Sequence, residues 1–114
     1  MNGEMHGDTW GRVTEIRGWL DENAGKLTER ERVMMCVLKT GEEFGEVSEA
    51  LHGALGANPR KGQSHSWDDV TKELVDVAVT TLVALATIDP EGDKKFDARL
   101  QHLVDRVMPP ARGQ

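Results

Sequence analysis

Apolar residues along the chain recur at helical spacing in four stretches divided by glycine, proline and short polar residues, and no stretch alternates as a half-buried strand would. The first helix is expected from about Thr9 to Asn23, with Asp8 or Thr9 as its cap and Gly25 just past its end. Trp10, Val13, Ile16 and Leu20 give it an apolar face. Thr28 followed by Glu31 fits a capping box and opens a second, longer helix reaching Leu55. The loop segment GALGANPRKGQSHS leads to another such box, Ser66 with Asp69, and a third helix from about Trp67 to Ile88. Asp89-Pro90-Glu91-Gly92 interrupts the pattern, and a fourth helix runs from about Asp93 to Val107 with Phe96, Leu100, Leu103, Val104 and Val107 on one side. The expectation is an all-α fold, a single domain over residues 1–114.

Charge and cysteine content narrow the function classes. Lys and Arg number 14 against 20 Asp and Glu, a net charge of −6. That balance disfavours a nucleic-acid-binding role, in which Lys and Arg must neutralise backbone phosphates. The only cysteine, Cys36, has no partner within the chain for a disulfide. The opening MNGEMHGDTW lacks the apolar run of a secretory signal, and the longest apolar stretch, Val77 to Ile88, is too short to span a bilayer. A cytoplasmic protein without membrane or nucleic-acid partners is expected.

The acids are where candidate chemistry enters. On the third helix apolar residues occupy most of the circumference, which implies burial on most sides. The remaining stripe carries Asp69, Glu73, Asp76 and Thr80, one above another at spacings of four, three and four. Acids in such a setting need a partner. The second helix offers Glu42, Glu43, Glu46 and Glu49 in the run EExxExxE, with Lys39 its only base there, and Lys72 is the only base in the body of the third helix. EExxE by itself reads as an ordinary solvated face. Glu73 and Asp76, embedded in VTKELVDVAVTTLVALATI, do not. If the two acidic faces meet, divalent cations can balance them, and Mg²⁺ is shared characteristically between a few carboxylates and a substrate's phosphates.

Glu42-Glu43-x-x-Glu46 followed by Glu73-x-x-Asp76 in the next helix resembles the EExxE…ExxD signature of the MazG-like all-α nucleoside triphosphate pyrophosphohydrolases, over about Val33 to Ile88. The resemblance implies a four-helix bundle completed by oligomerisation. It also implies Mg²⁺-dependent cleavage between the α- and β-phosphates of a (deoxy)nucleoside triphosphate, giving nucleoside monophosphate and pyrophosphate. Carried across residue by residue, the metal ligands would be Glu43, Glu46, Glu73 and Asp76, with Mn²⁺ a possible substitute for Mg²⁺. Glu42 would take an outer-shell or water-orienting role, and Glu42 or Glu46 would accept the proton of the attacking water. A homodimer or homotetramer would be expected, neighbouring helices closing the nucleotide pocket.

Arg60 and Lys61 in the loop, and Lys94, Lys95 and Arg99 on the fourth helix, are candidates for phosphate contact whose plainer reading is surface charge. Trp19, His52, His65 and Trp67 are the side chains available to meet a base, though structural roles are the simpler reading of each. Two other classes compete. Glu49-x-x-His52 has the form used by di-iron carboxylate bundles, but such sites need two copies and the chain has one. A non-catalytic helical protein that binds a nucleotide or a partner would share the same acids.

Overall fold

A computed structural model of the chain describes residues 4–108, with side chains from Asp8 onward. Four helices account for the architecture, and no strand occurs among the described residues: α1 (Glu4–Glu22), α2 (Glu29–Leu55), α3 (Trp67–Ile88) and α4 (Gly92–Val107). Both expected capping boxes form. The Thr28 hydroxyl accepts from the Glu31 amide at 3.1 Å while the Glu31 carboxylate accepts from the Thr28 amide at 2.9 Å. Ser66 and Asp69 make the same reciprocal pair at the start of α3. Gly56 ends α2 in the left-handed conformation, at φ 64°, where a side chain would be strained. Its amide donates to carbonyls in the last turn of the helix.

α1 departs from expectation at its start. It begins at Glu4, so neither Asp8 nor Thr9 caps it. Asp8 instead pairs with Arg12 one turn on, at 3.0 Å, a spacing that supports a continuing helix.

α2 and α3 pack as an antiparallel hairpin. Ala50, Ala54 and Val70 form a buried cluster at one end, and Cys36 Sγ lies 3.9 Å from Thr87 Oγ1 at the other. The loop folds back onto α2, with the Ser64 amide donating to the Gly53 carbonyl at 3.1 Å and Gln63 Nε2 to the Ala54 carbonyl at 3.2 Å. α1 lies on another side of α3, where Val13, Val83 and Ala86 are buried together with Trp10, Val79 and Leu82 around them. Asp21 ties α1 to α2 by pairing with Arg17 in its own helix and Arg32 across the junction. At the start of α4, Gly92 is buried, and a Cβ there would come within 2.7 Å of Leu85 Cγ.

Valine is the largest of the buried apolar residues, which are Val13, Val47, Ala50, Ala54, Val70, Val83, Ala84 and Ala86. α3 is therefore not covered on most sides within one chain. Trp67, Leu74, Val75 and Ile88 all stand more than half exposed. The Cα radius of gyration is 17.9 Å, against about 13 Å for a compact chain of this size, and the extents are 55 × 52 × 25 Å. The outline is a flat, open plate.

Thr28→Ala removes one side of the α2 capping box and is expected to cost about 1 kcal/mol. A urea titration followed by circular dichroism should show a lower midpoint with unchanged helix content before the transition.

Candidate metal centre

The close packing that joins α2 to α3 also sets their acids side by side. Ala50 and Ala54 are buried against Val70 and present little side-chain bulk at the hairpin interface, which lets the two backbones approach. One carboxylate oxygen from each of Glu43, Glu73 and Asp76 lies within 4.8 Å of the other two. All three residues are half-buried, the Glu43 and Glu73 side chains retaining 14% and 21% of their exposure. Glu73 Oε1 is buried and accepts no hydrogen bond.

Glu46 is exposed and stands outside this group of three, but their charge reaches it. The Glu43 carboxylate, and after it that of Glu73, holds the Glu46 carboxyl above its ordinary range, and Lys39 offsets this only in part. Lys39 Nζ lies 3.5 Å from Glu43, while Lys72 Nζ lies 3.0 Å from Asp76 and 3.8 Å from Glu73. The Asp76 carboxylate raises the Lys72 pKa, first through their hydrogen bond. Both lysines are mostly exposed and sit on flexible stems at the rim. Four carboxylates against two mobile ammonium groups leave the patch negative.

A hard divalent cation fits this donor set. Such ions take oxygen ligands from several carboxylates, and one would satisfy the stranded Glu73 oxygen while relieving the repulsion felt at Glu46. Asp69, although on the same stripe, serves elsewhere. Its carboxylate accepts from the Ser66 amide and hydroxyl, and the amide bond chiefly holds its pKa below the usual value. Glu42 is exposed on α2 and does not join the cluster.

The basic candidates divide by position. Lys61, on the loop after α2, lines an open cleft with Glu49, His52, Gly53, Ala57, Asn58 and Pro59, of which His52 lies roughly 9 Å of helix rise beyond Glu46 on α2. Arg60 is exposed on the same loop, its amide donating to the Asn58 side chain at 2.9 Å. Lys94 and Lys95 lie beyond the far end of α3, roughly 20 Å of helix rise from Asp76. There they pair with Glu91 and Asp89, and α3 and its following turn do not bring them to the carboxylates. Glu49 and His52 line the loop cleft rather than joining the three converging acids. Trp19 and Trp67 are exposed in the chain, contrary to the burial expected of tryptophan, and His65 hydrogen-bonds Ser64 at 2.9 Å. Lys39 and Lys72 were named in the sequence as isolated bases, and their place at the rim follows from the i, i+4 spacings Lys39/Glu43 and Lys72/Asp76.

Among the described residues, no helix is long and apolar enough to cross a membrane. Comparison with protein-family models, curated proteins and solved structures returned no match.

Glu46→Gln removes one of the crowded charges. Because the Glu46 pKa is higher in the folded than in the unfolded chain, its ionised form opposes folding above both values, and this opposition fades as the pH falls through the raised folded value and is gone below the usual glutamate range. In chelator-treated protein at neutral pH the variant should therefore melt above the parent. The difference should vanish on acidification to pH ~4. Thermal melts across that range measure it.

Proposed function

We propose that the chain is a Mg²⁺-dependent nucleoside triphosphate pyrophosphohydrolase of the MazG-like kind, cleaving between the α- and β-phosphates to release nucleoside monophosphate and pyrophosphate. The observation that carries this reading is the convergence of Glu43, Glu73 and Asp76 from two consecutive helices, with Glu73 Oε1 buried and unpartnered. A triphosphate brings several negative charges that an acidic patch would repel, so the reading requires divalent cations between the two. Glu43, Glu73 and Asp76 would hold them, with Glu46 alongside. Mg²⁺, or Mn²⁺ in its place, supplies neutralisation of phosphate oxygens and acidification of a coordinated water when bound.

The residues of the chain then divide the remaining work. Glu46 is the carboxylate whose affinity for a proton its neighbours raise, which suits it to accept the proton of the attacking water. Glu42, one position before Glu43 and exposed to solvent, would orient water from the outside. Arg60 and Lys61, exposed on the loop that follows α2, would supply contacts to the phosphates. Lys94 and Lys95 would take part only if supplied by a neighbouring subunit, in keeping with the homodimer or homotetramer that the resemblance implies.

Purified protein incubated with a panel of ribo- and deoxynucleoside triphosphates and Mg²⁺ should yield monophosphate and pyrophosphate. Glu43→Ala, Glu73→Ala and Asp76→Ala should each reduce turnover by at least ~100-fold with helix content retained, a loss in the range seen when a positioned electrostatic group is removed. Diphosphate plus orthophosphate would identify a different hydrolase. Absence of product in the presence of nucleotide binding would identify a non-catalytic binder, and unchanged turnover in the Glu73 and Asp76 variants would remove the carboxylate assignment.

A further inference from the structure

Toward the C-terminal end of α3, residues of α1, α3 and α4 line a cavity of about 360 Å³. Trp10 from α1, Leu82 from α3, and Phe96 and Leu100 from α4 supply its apolar walls. Gly92 is what admits the indole against the start of α4, since a Cβ there would come within 3.1 Å of Trp10 Cη2. Leu82 lies roughly 9 Å of helix rise beyond Asp76 and about 120° round the helix, so the cavity is separate from the three converging acids. Its charge is one-sided. Asp93 and Asp97 line it from successive turns of α4, the first half-buried and the second exposed. At 100° per residue both stand on one flank of the apolar stripe of Phe96, Leu100, Leu103 and Val107, whereas Arg99 and Arg106 stand on the other. Like charges four residues apart on a helix repel. Among the described residues neither acid pairs with a base, and Lys94, also in the lining, turns its ammonium to Glu91 at 3.3 Å.

We propose that this cavity binds a small organic cation, an ammonium or guanidinium group carried on an apolar body of one or two rings. The volume fits such a body: an apolar cavity of about 150 Å³ holds one benzene ring, and small-molecule sites begin at about 300 Å³. The positive head lies beside the Asp93 and Asp97 carboxylates and relieves the repulsion between them. Trp10 and Phe96 attract the same charge wherever it lies over a ring face, which a neutral or anionic ligand would not exploit. A carboxylate or phosphate would meet two like charges. A bare divalent cation would find two carboxylates and apolar walls in place of the six or more oxygen ligands it takes. Nothing in this binding requires an ion at Glu43, Glu73 and Asp76.

Three probes that share one body and differ in charge test the site: 2-phenylethylammonium, 2-phenylethanol and phenylacetate, each titrated into protein labelled at its leucine methyl groups. The ammonium should shift the Leu82 and Leu100 methyl resonances saturably and bind at least ~10-fold more tightly than phenylacetate, a difference of about 1.4 kcal/mol. Asp97→Asn, a change at an exposed helical position, should weaken the ammonium by at least ~3-fold and leave the alcohol unchanged, the size expected of a contact with an exposed charge. Added salt should likewise weaken the ammonium and spare the alcohol. Absence of saturable shifts at those two leucines, equal affinity for all three probes, or tighter binding of phenylacetate would each overturn the proposal.

Discussion

Like charges held together by close backbone packing govern the rest of this molecule. Alanine at positions 50 and 54 lets α2 and α3 approach, and the approach sets Glu43, Glu73 and Asp76 in one another's fields. Separating them would require opening the hairpin, which also holds the buried Val47 and Val70. Small residues at the seam and crowded acids at its edge are thus two consequences of one packing choice. A protein selected for stability alone gains nothing from the second.

The two faces of the hairpin divide the labour. One side concentrates negative charge and leaves a carboxylate oxygen without a donor, and the other exposes Phe44, Leu51, Trp67, Leu74 and Ile88. α1 braces a third side through Val13 and Trp10. α4 touches the body mainly at its start, where Gly92 meets Leu85 and Trp10, and carries Phe96 and Leu100 outward with half their surface free.

The boundaries of α2 and α3 were legible because capping boxes mark their starts, a left-handed Gly56 ends one and Asp89-Pro90 follows the other. The meeting of their acids was legible too, since Glu73 and Asp76 sit on the polar stripe of an otherwise apolar helix. Three features were not. Asp8 and Thr9 look like a cap, yet Asp8 serves an i, i+4 pair inside a helix that starts earlier. The near-total apolarity of α3 signalled burial, and a sequence does not say whether the covering surface lies in the same chain or in another. Distances of Lys94 and Lys95 from the acids likewise depend on tertiary placement that helical periodicity does not encode.

The central claim is that α2 and α3 jointly bind one divalent-cation site, and paramagnetic Mn²⁺ titrated into isotope-labelled protein tests it most directly. At substoichiometric Mn²⁺, amide resonances around Glu43 and Glu46 on one helix and Glu73 and Asp76 on the other should broaden together, while those near Asp93, Asp97 and Asp105 on α4 persist. Broadening confined to one helix, or spread evenly over every exposed acid, would contradict the account.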